Sequence, residues 1–210
     1  MSGNEQRPVA TIDPGLIAPF RQIPTAVISD NLQRLPGATS LKPFYKGPPM
    51  AGIALTVNTA AGDNLFVHRA LDMIKPGEVL VINGGGDETR ALVGEIIAAI
   101  AEQRGAAGIV LDGAIRDSAV LMTSPFPVFA RTANHRGPYK NGPGAINEPV
   151  SIGGMVVAPG DIVVGDADGV VAFAPERASH LLEMARAQEQ REAEILASIR
   201  AGRYQGAYGK

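Results

Sequence analysis

Residues 79–117, VLVINGGGDETRALVGEIIAAIAEQRGAAGIVLDGAIRD, predict a strand, a glycine-rich turn, a helix and a second strand that ends in a loop. The first strand, residues 79–82, is rich in β-branched side chains and breaks at an asparagine and three glycines. The second strand, residues 108–111, is short and apolar, as strands buried on both faces are. Gly105 ends a helix whose apolar side chains recur at helical spacing: Leu92, Val93, Ile96, Ile97 and Ile100.

The lengths of these elements predict where their ends meet. A helix over residues 94–104 spans roughly 16 Å at the usual rise per residue. The returning strand, residues 108–113, spans about 18 Å in the opposite direction. Arg116 and Asp117, which follow that strand, are therefore expected close to the amino end of the helix.

That position favours a particular chemistry. The amino end of a helix has unpaired N–H groups and a partial positive charge, so it attracts anions. The planar guanidinium of Arg116 matches a carboxylate, and the carboxylate of Asp117 is a ligand for a divalent cation. We therefore predict a site for a small, oxygen-rich acid together with a metal ion.

The composition excludes several classes of protein. The 210 residues are 45% hydrophobic, which suits one domain with its own core. A net charge of −2 gives no electrostatic case for binding nucleic acid or an anionic membrane. No cysteine is present, which excludes disulfides and thiolate chemistry, and no apolar run is long enough to span a membrane. A soluble, cytoplasmic protein is expected.

Outward from the central stretch, residues 1–210 are predicted to form a single domain with a lead-in over residues 1–20. Residues 25–35 are expected to contain a short helix capped by Ser29 or Asp30. The remaining predicted elements are a connector at 41–49, a strand at 53–59, a helix after Gly62-Asp63-Asn64, a strand at 125–130 and several strands over 150–174. Two of these, IVVG (162–165) and VVAFA (170–174), are predicted to form a hairpin around the turn Asp166-Ala167-Asp168-Gly169. A long helix over residues 176–201, highly charged in its middle, precedes a tail at 202–210.

Four basic side chains have two interpretations each. His68, on the helix after Asn64, is either a ligand or base, or a hydrogen-bonded residue at the edge of the core. We favour the second interpretation, because no other histidine is near in sequence. The long polar loop 131–149 is typical of functional segments. Its His135, Arg136 and Lys140 either line an acid-binding cleft or contact solvent or a neighbouring subunit.

The motifs resemble those of the RraA-like family. The similar positions are Gly94-Glu95, Arg104-Gly105, Gly108, Asp112-Gly113, Arg116-Asp117, Gly62-Asp63-Asn64 with His68, Lys75-Pro76-Gly77, Gly137-Pro138, Gly142-Pro143-Gly144, Ser151-Ile152-Gly153-Gly154 and Pro159-Gly160-Asp161. They cover most of residues 25–175. The family contains metal-dependent 4-hydroxy-4-methyl-2-oxoglutarate and 4-carboxy-4-hydroxy-2-oxoadipate aldolases, and non-catalytic regulators of ribonuclease E.

The resemblance implies an α/β fold of the swivelling β/β/α type, with three layers and a C-terminal helix, rather than an open Rossmann sheet. It also implies a homotrimer or homohexamer with sites between subunits. By position, the substrate-binding segment is Gly94, Glu95, Ile96 and Ile97, with Arg116 as the substrate-binding and catalytic arginine. Asp117 is the metal ligand, and Glu95 is the acidic catalytic residue near the metal's waters.

This resemblance constrains where the central helix starts. Periodicity alone permits a start near Glu88, but the amides of residues 94–97 would then bond to carbonyls four residues earlier and would not reach a ligand. We therefore predict a helix that begins near Val93 or Gly94.

The expected activity is cleavage of a 2-oxo acid to pyruvate through an enolate, with Mg²⁺ or Mn²⁺ as cofactor. Arg116 and the helix amides are expected to stabilise the enolate charge, and Glu95 to position water for proton transfer. The same chemistry predicts oxaloacetate decarboxylase activity. A Schiff-base mechanism is not indicated, because Lys42, Lys46, Lys75 and Lys140 all lie in turn-like sequence.

Three alternative functions were considered. A non-catalytic regulator that binds ribonuclease E has no need of a metal-binding aspartate at position 117. A dinucleotide-binding protein is suggested by three glycines after a strand, but Thr89 stands where the last glycine of that pattern belongs. A quinone-precursor methyltransferase is not supported by any recognisable adenosylmethionine pocket.

Overall fold

The computed structural model describes residues 14–34 and 36–206. Within these ranges the strands are β1 Lys42–Pro43, β2 Met50–Thr59, β3 Glu78–Asn83, β4 Ala91–Val93, β5 Gly108–Asp112, β6 Ala114–Ile115, β7 Val128–Ala130, β8 Thr132–Ala133, β9 Gly144–Ile146, β10 Val150–Ile152, β11 Met155–Val157, β12 Ile162–Gly165 and β13 Val170–Phe173. The helices are α1 Pro14–Ile17, α2 Thr25–Asp30, α3 Leu65–Leu71, α4 Glu95–Gln103, α5 Ser118–Leu121 and α6 Ala178–Arg200, with 3₁₀ turns at Ala18–Gln22 and Pro175–Arg177.

A mixed sheet of eight strands forms the centre of the protein. Its order is β1-β7-β5-β3-β2-β12-β13, and β9 pairs with the end of β2. The pairs β2–β3, β3–β5 and β5–β7 are parallel, whereas β12 pairs antiparallel with both β2 and β13. The predicted hairpin is therefore confirmed, with β12 and β13 as its two strands.

Successive side chains of the central strands pack on opposite faces of the large sheet, so the core has two parts. Leu80 and Ile82 pack on the side of α3 and α4, whereas Val79 and Val81 pack against the β10–β11 hairpin. Successive side chains of a strand point to opposite faces, so an apolar run is buried on both sides only when both faces are covered. Hairpin, sheet and helices form the three layers of the predicted β/β/α fold. The α6 helix packs in a third cluster with the 3₁₀ turn at Ala18–Gln22 and with α2.

A small parallel sheet, β4-β6-β8, extends from the large one. Strand β5 continues into β6 after Gly113, and β7 continues into β8 after Arg131. The Arg131 guanidinium donates a hydrogen bond to the buried carboxylate of Asp112, which also accepts the N–H of Gly153 at 2.8 Å. Buried ionised groups require such partners. This network joins the two sheets where they separate.

One expectation for the first 35 residues needs correction. Helix α2 begins at Thr25, so Ser29 and Asp30 lie in its last turn and do not cap its start. The Asp166 carboxylate instead accepts the N–H and hydroxyl of Thr25 at 2.8 and 2.7 Å. Most of the lead-in (residues 1–13) and Leu35 lie outside the described residues. The described part is helical, and Phe20 is fully buried.

The central helix begins at Glu95, with Gly94 before it in extended conformation, so the predicted start is confirmed. Leu92 and Val93, which were expected on the apolar side of this helix, lie in β4. Three consecutive buried residues fit a short strand and a helix equally well, and pairing with β6 decides the outcome here.

The C-terminal helix spans Ala178–Arg200, slightly shorter than predicted. Residues 203–206 of the predicted tail have no regular structure, and 207–210 lie outside the described ranges. Over the described residues, no helix combines the length and apolar character that a membrane crossing requires.

Candidate active site

Three strand ends meet at one edge of the small sheet. Strand β4 leads through Gly94 into α4, β6 leads into Arg116 and Asp117, and β8 leads into Asn134 and His135. Ligands of α/β proteins bind at the carboxyl ends of parallel strands, where loops and helix starts meet. The fold therefore brings together the residues that the central stretch predicted as a site, namely the start of α4, Arg116 and Asp117.

Asp117 contacts the start of α4 directly. Its Oδ2 accepts the N–H of Glu95 at 3.0 Å, and the first hydrogen bond within the helix runs from Ala98 to the Gly94 carbonyl at 3.1 Å. The N–H groups of Ile96 and Ile97 are thus in the first turn and have no carbonyl within the helix to donate to. Of the predicted substrate-binding amides, that of Glu95 is already bound to Asp117.

The backbone of Asp117 is left-handed, with φ of 57° and ψ of 33°. A non-glycine residue in this region costs free energy, and such residues concentrate at functional sites. The turn brings the carboxylate back towards the helix start. Its side chain is 39% exposed, so it is open to solvent as well as to Glu95.

Arg116 lies between two depressions. One is a cavity of about 290 Å³ with mainly apolar walls, and the other is a wider groove of about 510 Å³ that also contains Glu95 and Asp117. The distance from Arg116 Nε to Asp117 Oδ2 is 3.7 Å, longer than a hydrogen bond, so the guanidinium is not fixed to its neighbour.

The two isoleucines after Glu95 have different environments. The Ile97 side chain is buried in the core, whereas that of Ile96 is 66% exposed. Both line the smaller cavity.

Part of the lining of the smaller cavity is polar and consists of Asn64, His68 and Lys140. The Lys140 Nζ lies 2.6 Å from His68 Nε2 and donates to Asn64 Oδ1 at 3.3 Å. An ammonium group only donates, so His68 Nε2 accepts and its proton resides on Nδ1. Burial and the Lys140 charge lower the pKa of His68, although Asp72 opposes them, which favours the neutral ring. His68 is thus hydrogen-bonded, as we favoured, and it also lines the cavity.

His135 and Arg136, the other two residues of the 131–149 loop with two interpretations, have different positions. His135 lines the wider groove, together with Asn134. Arg136 is not among the residues that line either depression, and its carbonyl accepts the N–H of Ala91. Asn64, which the sequence placed in the turn before a helix and in a family-like motif with His68, was not predicted as a site residue. It lines the smaller cavity, and its side-chain oxygen accepts the hydrogen bond from Lys140.

Asp63 joins helix α3 to the loop that contains Lys140. Its buried carboxylate accepts the N–H groups of Leu65, Asn141 and Gly142. Burial acts to raise the pKa of Asp63, but these backbone donors and the Lys140 charge outweigh it, so the pKa is lowered.

We expect Asp63→Asn to reduce the free energy of unfolding at pH 7 by about 1–3 kcal/mol, because a buried network loses an acceptor. The folded-state pKa of Asp63 is below its unfolded value, so its stabilisation is complete above the unfolded pKa and is lost as the pH falls through the folded pKa. Urea unfolding at pH 7 and near pH 3 therefore gives a larger difference between wild type and variant at pH 7.

Asp87→Asn is the matched control, because Asp87 accepts a single N–H, that of Thr89, in an exposed turn. Its expected effect is below about 0.5 kcal/mol. Equal losses in the two variants, or a loss from Asp63→Asn that does not change with pH, would contradict this role for Asp63.

Gly94 is required for space and not for its backbone angles. A Cβ at this position would stand 2.5 Å from Asp117 Oδ2 and 2.9 Å from Arg116 Cγ. We expect Gly94→Ala to displace both groups and to reduce the aldolase activity that the family resemblance implies about 100-fold, since small misplacements at a reacting centre have effects of that size. Pyruvate release and thermal unfolding measured together test this, and an active variant with near-normal turnover would refute it.

The residues around Asp117 fit a divalent cation. Among residues 14–34 and 36–206, no three His, Asp or Glu side chains form a ready-made cage. Mg²⁺ commonly keeps several waters and binds through one or two carboxylates plus substrate oxygens, so a partly exposed aspartate in a groove is an adequate protein ligand. Asp117, which is partly exposed and lines the wider groove, meets this description.

The chain is similar to proteins of known family. A sequence model of the RraA-like family, described as Aldolase/RraA, matches residues 25–172. A protein of Halalkalibacterium halodurans named "Putative 4-hydroxy-4-methyl-2-oxoglutarate aldolase" is 42% identical over 174 residues, which cover 82% of this chain and 83% of that protein.

Solved structures agree with this result. An uncharacterized protein from Pseudomonas syringae pv. tomato has a TM-score of 0.83 at 27% identity, covering 96% of this chain and 94% of its own. The RNA-processing inhibitor RraA from Thermus thermophilis has a TM-score of 0.65 at 31% identity, covering 72% of this chain and 92% of its own. The chain belongs to the RraA-like family.

Proposed function

We propose that this protein is a divalent-metal-dependent aldolase that cleaves 4-hydroxy-4-methyl-2-oxoglutarate and similar 2-oxo acids to pyruvate. The observation that carries the proposal is the convergence of the Arg116 guanidinium, the Asp117 carboxylate and the first turn of α4. The name of the relative from Halalkalibacterium halodurans supports the substrate class.

Asp117 is the protein ligand for the cation in this proposal. Mg²⁺ or Mn²⁺, when bound there, polarises the 2-oxo group as a Lewis acid. The Asp117 side chain is oriented by its hydrogen bond from the Glu95 N–H, which leaves its carboxylate only partly satisfied by the protein.

Arg116 binds the carboxylate next to the 2-oxo group through its planar fork. Cleavage removes the proton of the 4-hydroxyl and breaks the C3–C4 bond, whose electrons form the enolate of one pyruvate while C4 becomes the ketone of the other. The positive charge of Arg116 and the N–H groups of Ile96 and Ile97 stabilise the negative charge that develops. These donors are in place before the reaction.

Glu95 has the role of moving protons. It lines the groove beside Arg116 and Asp117, where it can orient water that accepts the hydroxyl proton and returns a proton to C3 of the enolate. Proton balance then requires no other group.

The cavity next to Arg116 provides a place where the second carboxylate of the substrate can bind. Its volume of about 290 Å³ is at the lower end of small-molecule sites, which suits a compact substrate. Lys140, which also lines the cavity, supplies a second positive charge close to His68 and Asn64. A dicarboxylate that bridges Arg116 and Lys140 matches this charge pattern. Oxaloacetate, which also yields pyruvate through an enolate, is a second expected substrate, with loss of CO₂.

We also propose a homotrimer or homohexamer. Ile96, Val120 and Met122 are exposed apolar side chains near the groove, and Ile195, Leu196 and Ile199 are exposed on α6. Exposed apolar groups that cluster on a surface are typical of protein–protein contacts. Sedimentation of the purified protein measures the state of assembly.

The second candidate function is that of a regulator that binds ribonuclease E. It is favoured by the structural likeness to RraA from Thermus thermophilis. Capture of the protein by immobilised ribonuclease E, without pyruvate release from any tested acid, would favour this alternative over the aldolase.

The experiment that tests the aldolase proposal is a pyruvate-release assay coupled to lactate dehydrogenase. The substrates are 4-hydroxy-4-methyl-2-oxoglutarate and oxaloacetate, with MgCl₂, with MnCl₂ and with EDTA. We expect two pyruvates for each 4-hydroxy-4-methyl-2-oxoglutarate cleaved, and loss of turnover with EDTA. Absence of pyruvate release by folded protein at saturating cation would refute the proposal.

A further inference from the structure

Residues 137–140 form one wall of the cavity beside Arg116. Gly137, Pro138 and Lys140 line it, and the intervening Tyr139 points away, with a side chain that is 55% exposed. The segment pairs by its backbone with the turn before α3. Tyr139 donates its N–H to the Gly62 carbonyl at 2.8 Å and accepts the N–H of Asn64 at 3.0 Å.

Arg90 holds the outer side of this wall by three contacts. Its Nη1 donates to the Gly137 carbonyl at 2.8 Å, and its Nη2 donates to the Tyr139 hydroxyl at 2.8 Å. The guanidinium carbon lies 4.1 Å from the centre of the Tyr139 ring, within the range of a cation–π contact. A planar guanidinium makes two directed hydrogen bonds and a stacking contact at once, which a lysine does not.

The path of the Arg90 side chain also fixes it relative to the turn before α3. Its Cδ would stand 3.0 Å from a Cβ on Gly62, which has a positive φ of 69°. The aliphatic part of the Arg90 side chain therefore passes over a position where both the space and the backbone angle favour glycine. Arg90 contacts the wall and the turn to which that wall is paired, but it is not among the residues that line the cavity.

We propose that Arg90 is a positioning residue that acts through residues 137–140: it holds the Lys140 ammonium at the cavity that Arg116 also lines, and thereby sets the preference for 2-oxo acids with a second carboxylate. This inference rests on the proposed function for its substrate class. Arg90 does not touch the reacting atoms, so it affects the binding of the substrate's second carboxylate and not the cleavage step.

The test compares wild type with Arg90→Met, which keeps the length of the aliphatic chain and removes both donors. For 4-hydroxy-4-methyl-2-oxoglutarate we expect KM to rise about tenfold with kcat within about twofold, as for a lost interaction that binds substrate and transition state equally. Calorimetric titration with MgCl₂ present should show about tenfold weaker binding of 2-oxoglutarate and unchanged binding of pyruvate. Arg90→Lys, which retains a donor for the Gly137 carbonyl, should recover part of the KM.

Arg69→Met is the matched control, because Arg69 also stacks on an aromatic ring, that of Phe66 at 4.6 Å, but is not hydrogen-bonded to the wall. Its KM and its binding of both acids should equal those of wild type. Tyr139→Leu removes two of the three contacts, the hydroxyl acceptor and the aromatic ring, from the other side. A double variant with Arg90→Met should raise KM no more than the larger single effect, because coupled residues are not additive.

Two results would overturn the role of Arg90. One is an unchanged KM and unchanged 2-oxoglutarate binding in Arg90→Met, and the other is an equal loss of pyruvate and 2-oxoglutarate binding, which indicates general loosening. If Arg90→Met does not fold, Tyr139→Leu decides the question by the same two titrations. Because these titrations need no turnover, a wild type without aldolase activity would refute the proposed function and still leave the positioning role measurable.

Discussion

Replacement of Asp117 by asparagine is expected to abolish cation-dependent pyruvate release, with a loss of at least about 1,000-fold, since a bound cation stabilises transition-state charge by several kcal/mol. The substitution keeps the shape of the side chain. The amide oxygen of asparagine still accepts the Glu95 N–H, and asparagine tolerates the left-handed backbone of this position. The variant should therefore fold normally and lose only its anionic ligand.

Asp168→Asn, in the exposed turn between β12 and β13, is the control and should leave turnover unchanged. Pyruvate release across a titration of MgCl₂ measures both proteins. If Asp117→Asn retained turnover within tenfold of wild type at moderate MgCl₂, Asp117 would not be the cation ligand.

Arg116→Lys is expected to reduce kcat/KM by about 100- to 1,000-fold, the range seen when a preorganised donor to developing charge is lost. Lysine retains the positive charge but not the planar pair of donors that matches a carboxylate. The Arg116 side chain is 44% exposed and lies between the cavity and the groove, so the change leaves the core unaltered.

Initial rates over a range of substrate concentrations measure this effect. Arg69→Lys, on the exposed side of α3, provides the comparison and should stay within about twofold of wild type. A kcat/KM for Arg116→Lys within tenfold of wild type would mean that charge alone, without directed hydrogen bonds, accounts for binding.

The sequence was most informative where one element leads directly into another. The strand–helix–strand order of residues 79–117 predicted that Arg116 and Asp117 return to the start of α4, and the contact from Asp117 to the Glu95 N–H confirms this placement. The chain length between these residues is short, so few paths connect them. The β12–β13 hairpin and the helix after Asn64 were predictable for the same reason.

Other features depend on contacts that are distant in sequence. Leu92 and Val93 match a helix by spacing, but their pairing with β6 across some twenty intervening residues places them in a strand. The start of α2 depends on Asp166, which lies 141 residues from Thr25. No local pattern contains that information, so Ser29 and Asp30 were wrongly assigned as caps.

The part of the cavity that Lys140 and His68 line was only partly predictable. Lys140 was recognised as a possible acid-binding residue, and His68 as a hydrogen-bonded one, but nothing in the sequence indicated that they contact each other across 72 residues. The roles of Arg90 and Asp63 depend on the course of the 131–149 loop. A long loop rich in glycine and proline has no periodicity from which that course follows.

The most direct test of this account is a crystal structure of the protein grown with pyruvate and MnCl₂, with the metal located by its anomalous signal. We predict Mn²⁺ at the Asp117 carboxylate, and the pyruvate carboxylate within hydrogen-bonding distance of the Arg116 guanidinium and the N–H groups of Ile96 and Ile97. Manganese and pyruvate bound at saturating concentration elsewhere on the molecule, away from Arg116 and Asp117, would contradict it.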